Sequence, residues 1–376
     1  MFKFIVHQLS ILLLLLPIAI AGCRSQTPEV DPASQVSRDN TQLVLNNAVL
    51  EQSNPQSDTI WKIKANNITY SDNNQIATLD KVVGNLVKDD SVILKISAKA
   101  GIIKDNGNVI LLNGSVIASD PRNGSVITSE SIEWRPQENL LLIKEKLDGT
   151  HPNLEVTARQ GKYFTDIEKL EIEGDVIATS NKPPLQLTSE RLEWNVPQSQ
   201  IISPGAVELV HYDKNRTITD KLKSDRAELN LAQNQAILKQ NIELISLTPA
   251  LQVATDFLTW NYQDRIGSTN RPIQILDRDR QISLTGNQGE INFPLQIAKL
   301  QGGVKGIDRQ KASELYARNL IWKINTEEVE AKGNVIYEQA KPKARLTGDS
   351  AIGSLKDNNI TVTSNGKQQV TSIIDN

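Results

Sequence analysis

Four tryptophans, Trp134, Trp194, Trp260 and Trp322, recur at intervals of 60, 66 and 62 residues, and each closes a short alternating segment that returns with it. The chain is therefore built by repetition. A second row of marks runs between them, Gly84, Gly114, Gly174, Gly205, Gly302 and Gly333, spaced 30, 60, 31, 97 and 31 residues apart, so one unit is about 30 residues long. A strand-like unit of that length cannot bury its own apolar face and must stack on its neighbours. An open-ended stack of this kind presents a long continuous groove, which suits a ligand that is long or that travels along it.

The period within each unit is two. Ile110, Leu112, Gly114, Val116 and Ala118 share one parity, and Leu170, Ile172, Gly174, Val176 and Ala178 repeat them with Glu171, Glu173 and Asp175 between. The same row returns as Ala298, Leu300, Gly302, Val304 and as Val329, Ala331, Gly333, Val335, Tyr337. Such alternation describes half-buried strands. Glycine inside the row marks a bend, a bulge or a close backbone approach. Each tryptophan follows an aliphatic residue two positions earlier, as in Ile132 before Trp134, which puts the pair on one strand face. The single 66-residue interval contains the polar stretch His211 to Lys223, which reads as a loop insertion.

Residues 1–22 read as an export signal: Lys3, an apolar run from Ile11 to Leu16, then small residues before a cysteine. Ile20-Ala21-Gly22-Cys23 matches the bacterial lipobox, in which cleavage before the cysteine frees its thiol to carry a diacylglycerol. Cys23 is also the only cysteine of the chain, so no internal disulfide is available. Residues 23–40 combine the lipidated cysteine with a tether rich in small polar residues and proline. About 17 flexible residues reach roughly 20–25 Å, enough for a folded body to stand clear of headgroups.

Hydrophobic residues make up 39% of the chain and aromatic residues 4%. The formal charge is -3, which becomes -4 once the signal and its Lys3 are removed. A near-balanced surface excludes the concentrated basic footprint that nucleic acid requires. Outside the signal only His151 and His211 remain, with no nucleophile elbow, no clustered metal-ligand spacing and no Gly-rich phosphate loop. The sequence calls for no catalysis, no cofactor and no metal.

The order Ile60-Trp61-Lys62-Ile63-Lys64-Ala65, Gly84, Ser97-Ala98-Lys99-Ala100-Gly101, Leu112-Asn113-Gly114-Ser115-Val116 and Ile132-Glu133-Trp134 resembles LptC and its OstA-like relatives, the periplasmic lipopolysaccharide-export proteins. The resemblance covers nearly the whole chain after the signal. It implies an all-β fold, an open antiparallel β-jellyroll ("β-taco") solenoid, whose inner faces hold the acyl chains of lipid A. It also implies partners: an inner-membrane ABC transporter and other OstA-like bridge proteins, joined by strand-edge pairing. LptC normally carries one transmembrane helix and is much shorter. This chain carries a lipobox instead, and its extra length suggests two fused segments, 41–220 and 221–376. The residue after the lipidated cysteine is Arg24 and not the aspartate that retains many enterobacterial lipoproteins in the inner membrane, so the outer membrane stays open although the family favours the inner one.

The inward row that would form the lipid groove is Ile110, Leu112, Val116, Ile132, Leu170, Ile172, Val176, Leu300, Val304 and Val335. A closed β-helix would use the same residues as an ordinary core. Trp134, Trp194, Trp260 and Trp322 either line the groove or seal the packing seam between sheets. Glu171, Glu173 and Asp175 would serve a polysaccharide-acting enzyme or a solvated strand face. Arg265, Arg271, Arg278, Arg280, Lys341, Lys343 and Arg345 would meet lipid phosphates at the groove rim or simply solubilise it. Three function classes follow: a lipopolysaccharide carrier, a structural or adhesive β-solenoid lipoprotein with a closed core, and, behind both, a polysaccharide-acting β-helix enzyme. Lipidation is directly testable. Cys23→Ser is expected to abolish metabolic labelling with a radioactive fatty acid and to move the protein from the membrane to the soluble fraction.

Overall fold

The computed structural model describes residues 43–54, 59–71, 76–152, 154–357, 359–364 and 371–375. The expected signal, Cys23 and the tether to residue 40 lie outside them. Gln42–Asn376 forms one compact unit, in which the 28 strands of the described residues join into a single antiparallel sheet. The boundary expected at 220/221 falls inside the strand Ile218–Ser224.

The sheet is a meander of long strands, and each long strand bends once. Alternate strands bend by taking one extra residue. Between Val109–Asp120 and Ser125–Arg135 the register runs Asn113 with Ser131 and then Val116 with Ser129, so Gly114 and Ser115 oppose Glu130 alone. This is a β-bulge. Both bulge residues are left-handed, with φ of 83° at Gly114 and 51° at Ser115. The device repeats at Gly174–Asp175, Gln240–Asn241, Gly302–Gly303 and Gly333–Asn334. The bends stack into a spine that divides the sheet into two walls. On several strands the bend breaks pairing altogether, as between Leu140–Ile143 and Leu147–His151.

Broken pairing orphans backbone carbonyls, and buried hydroxyls take them up. Ser129 donates to the Lys146 carbonyl (3.1 Å), Ser203 to Gly205 (3.0 Å), Ser224 to Arg226 (3.0 Å) and Thr255 to Pro272 (2.9 Å). On the outer side of the spine charged residues follow one another: Arg159 pairs with Asp175 (3.3 Å) and Glu190 (3.1 Å), and all three are mostly exposed.

The inner faces of the two walls form one apolar core that runs from Trp61 to Ile324, followed by a small cluster of Ala317, Ala331, Val335 and Ala351. Trp61 and Trp134, from opposite walls, touch at a ring-centroid distance of 3.8 Å. The sheet does not close on itself. Val44–Asn54 pairs with Thr59–Tyr70 on one side and with no strand among the described residues on the other. At the far end Lys343–Ser354 pairs with the short strands Asn359–Thr363 and Thr371–Asp375.

Two expectations are corrected. His211 to Lys223 is not a loop insertion: Val207–Tyr212 and Ile218–Ser224 form a hairpin, with a bulge at His211/Tyr212 and the turn confined to the residues between. The stretch looks polar because Asp220, which faces inward, occupies a core position. Gly84 is not a bend glycine either, since the left-handed residue of its strand is Lys81; a Cβ on Gly84 would instead meet Ile96 at 2.8 Å.

The spine gives a discriminating test. Gly174 has φ of 84°, and a Cβ there would lie 2.8 Å from Arg159 Cβ, whereas Gly205 has nothing within 4 Å and no left-handed backbone. In urea unfolding, Gly174→Ala is expected to cost about 1–3 kcal/mol, and Gly205→Ala about 0.5 kcal/mol or less.

Candidate functional site

All ten residues of the expected groove point inward, and none is more than 5% exposed. Nine belong to the continuous core, packed against the opposite wall, and Val335 belongs to the small cluster that follows it. Here the interior is filled by side chains along most of its length, as protein interiors are.

Between the walls, two openings stand out among the described residues. A cavity of about 50 Å³ lies between the walls near the N-terminal third, where Ala118, Ile127 and Leu94 of one wall face Ile132, Leu141, Ile143, Leu170 and Trp194 of the other. A much larger one, about 580 Å³, sits near the C-terminal end, its apolar lining including Ile282, Leu284, Leu315, Leu320, Trp322, Val329, Ala331 and Ala351 and its polar lining Asp308, Lys311, Glu314 and Lys341. None of the ten expected groove residues lines the larger cavity, although the tryptophan row does reach it through Trp322. Its cause is legible in the repeat. Ala331 stands one 31-residue unit after Leu300, and Ala351 one unit after Leu320, so two leucine positions of the core become alanine. Removing that volume without collapse leaves a void.

The tryptophans lie on the inner face of one wall. Trp134 and Trp322 are 1% exposed, Trp260 is buried against Phe293, and Trp194 is half-buried with His151 on its ring edge. Burial pushes the His151 imidazole pKa below its ordinary value. The indole N–H groups of Trp134, Trp194 and Trp322 are buried without a hydrogen-bond acceptor. A donor left so costs about 1–3 kcal/mol, which marks the interior as apolar enough to offer these rings packing and nothing else.

The carboxylates considered for chemistry face outward. Glu171 pairs with Lys169 (2.9 Å) and Arg191 (3.0 Å), which also hold Glu193, and Asp175 pairs with Arg159. The hydrogen bond from Lys169 keeps the Glu193 carboxyl below the ordinary carboxylate range. Glu173 accepts from Gln160. This is a cross-strand charge ladder. Among the described residues no group of three or more His, Cys, Asp or Glu side chains is placed to hold a metal ion, and no helix is long and apolar enough to cross a membrane.

The basic clusters divide. Arg265 reaches Asp220 (2.6 Å), Arg280 holds Asp277 (2.9 Å), Arg278 donates to the Ser246 carbonyl (2.6 Å) and Arg345 pairs with Glu338 (2.8 Å). Burial alone would raise the Asp220 carboxyl, but hydrogen bonding from His211 and the charge of Arg265 outweigh it and hold the pKa below the usual range. The contacts of Arg265 and Arg278 were hidden in the sequence because each partner sits on a different hairpin.

Fold and interior together define a repeat-built antiparallel β-jellyroll with a continuous apolar interior. The chain belongs to the LptC-related lipopolysaccharide-assembly family, whose model matches residues 9–141 and 186–309. That membership places it among lipopolysaccharide-transport proteins. No curated protein matches it at the level of sequence. Among solved structures, it is similar to the crystal structure of LptH, the LptA homologous periplasmic component of the conserved lipopolysaccharide transport device from Pseudomonas aeruginosa. The TM-score is 0.26 and the identity 13%, over 30% of this chain and 82% of that one.

The cavity can be filled from within. Ala331→Leu is expected to leave stability unchanged or raise it by about 1 kcal/mol, whereas Ala298→Leu, into the packed core, should cost about 1–3 kcal/mol in the same denaturant titration.

Proposed function

We propose that the protein binds the lipid A acyl chains of lipopolysaccharide between its two walls. In this reading it forms part of the periplasmic bridge that carries the lipid from an inner-membrane ABC transporter toward the outer membrane. The observation that carries the proposal is the uninterrupted apolar interior from Trp61 to Ile324, which ends in a cavity whose lining includes Leu284, Leu315 and Trp322. Each acyl methylene moved from water into such an interior gains about 0.8 kcal/mol, so retention needs no specific polar contact. Ester carbonyls of the bound chains are acceptors of the kind that the Trp134, Trp194 and Trp322 indoles lack.

Cys23 would anchor the protein to the periplasmic face of a membrane, the inner one by family. The unpaired edge of Val44–Asn54, with Val44 and Val49 exposed, supports joining to another bridge protein by strand addition, since an open edge is a template unless it is used or blocked. The length of the chain is what supports two fused segments, 41–220 and 221–376. The groove residues expected from the sequence retain their role as the walls of the lipid path, and the four tryptophans theirs as its packing layer.

The packed state of most of the interior favours the second reading, a closed scaffold, and one experiment separates the two. A photoreactive residue placed in cells at Ile172 or Leu315, facing inward, is expected to crosslink to lipopolysaccharide, and one at Glu171, facing outward, is not. Folded, expressed protein that captures no lipid from either inward position would establish the closed scaffold instead.

A further inference from the structure

Opposite the spine, the free margins of the two walls end in two rows of turns. One row ends each turn on a left-handed residue, among them Glu168, Arg265 and Glu327. The turns' backbone hydrogen bonds run along each row, as from Leu231 to Ser199 and Phe293 to Arg265 in one, and from Arg278 to Ala250 and Arg309 to Gln281 in the other. Contacts that cross from row to row are made by long cationic side chains. Lys88 donates to the Asp166 carbonyl (3.2 Å), Arg122 to Glu168 (2.7 Å) and Lys311 to the Leu355 carbonyl (2.9 Å), while Arg280 reaches Glu327 and Arg265 reaches Asp220 (2.6 Å). The partners are 44 to 78 residues apart in sequence.

Three of these cations are braced by an inward carboxylate at a strand end. Asp120 holds Arg122 (2.6 Å), Asp277 holds Arg280 (2.9 Å) and Asp308 faces Lys311 (3.9 Å). Arg280 and Lys311 stand 31 residues apart, as do Asp277 and Asp308, so the brace belongs to the repeat. The two walls are thus joined in three unlike ways. At the spine they are covalently continuous, across the interior they are packed through one apolar core, and at this margin they are held by flexible, partly exposed side chains. Arg122, Arg280 and Lys311 are 36 to 37% exposed, so water can replace each partner in turn, and exposed ion pairs are the weakest of these joints.

We propose that this margin is a lateral gate: the row of cation clasps opens, one clasp at a time, to let an acyl chain pass sideways into the interior, and closes behind it. The proposal rests on the lipid-carrying reading above and names the residues that would govern access. Because the braces stay with their own wall, an opened Arg122 or Arg280 keeps a carboxylate partner and is ready to re-form the crossing bond. A lipid with several acyl tails enters without threading from an end.

The test uses the full chain in a Cys23→Ser background, with cysteine pairs replacing Lys88 and Asp166, or Arg280 and Glu327, joined by a bismaleimide linker that carries a reducible disulfide. A photoreactive residue at Leu300 reports capture of purified lipopolysaccharide. Capture is expected to fall at least tenfold when the pair is bridged and to return when the linker is cleaved. Equal capture by bridged and unbridged protein overturns the gate, leaving passage through the ends, while the lipid-carrying reading stands. No capture by unbridged, folded protein overturns both. The 88/166 pair is on the surface and leaves every buried carboxylate in place, so a folding failure of the 280/327 variant does not remove the test.

Discussion

A strand that runs through two walls must turn a corner, and turning it inside a hydrogen-bonded sheet requires neighbouring strands to disagree by one residue. The disagreement is met by a pair of left-handed residues on five of the strands, and by a single one or a break in pairing on others. Left-handed backbone is unfavourable for most side chains by about 1–2 kcal/mol, which is why glycine, asparagine and aspartate gather there: Gly114, Gly174 with Asp175, Gln240 with Asn241, Gly302 with Gly303, Gly333 with Asn334. The remaining features follow from that bend. It faces the two halves of each strand toward each other, creates the interior, orphans the carbonyls that Ser129, Ser203 and Ser224 recover, and leaves the far margins to meet as rows of turns.

The interior that results is unusual in what it leaves undone. Its side chains are almost wholly apolar, three of its indoles lack acceptors, and the cavity beside Trp322 comes where two leucines of the repeat are replaced by alanine. A core selected for stability alone would close such a gap, because a cavity costs stability in proportion to its volume. A core that admits a hydrocarbon ligand keeps it. The polar residues gather at the spine, at the outer charge ladder through Glu171 and Glu193 and at the clasped margin, while Asp220 takes a core position.

Much of this was legible in the sequence. The period of two, the roughly 30-residue unit and the inward parity of Ile110, Ile172 and Leu300 all follow from the alternation of side chains across a strand. The bend was legible only where glycine marked it; Gln240 and Asn241 perform the same turn without the mark. Asp220 misled because one carboxylate at a core position, its Oδ2 held by His211 and Arg265 from other strands, helped the polar turn beside it to make a strand look like a loop. The clasps were not readable at all. An arginine in a turn looks like any solubilising charge until the fold brings a turn from more than one unit away beside it. The cavity was present in the sequence as Ala331 and Ala351, but only a comparison of equivalent positions between units would have found it.

The repeat also fixes how the molecule can change in length. Each unit contributes two strand widths along the long axis, roughly 10 Å, and every cross-section from spine to margin is closed by contacts with the next unit or two. Hairpins can therefore be added or removed between one bend and the next while the cross-section stays constant. The four extra residues in the 66-residue interval, relative to the 62-residue one, are absorbed in this way, by lengthening one hairpin without interrupting the core. A scaffold of this kind behaves as a ruler graduated in hairpins, whose reach can be altered in fixed steps while the bore remains the same.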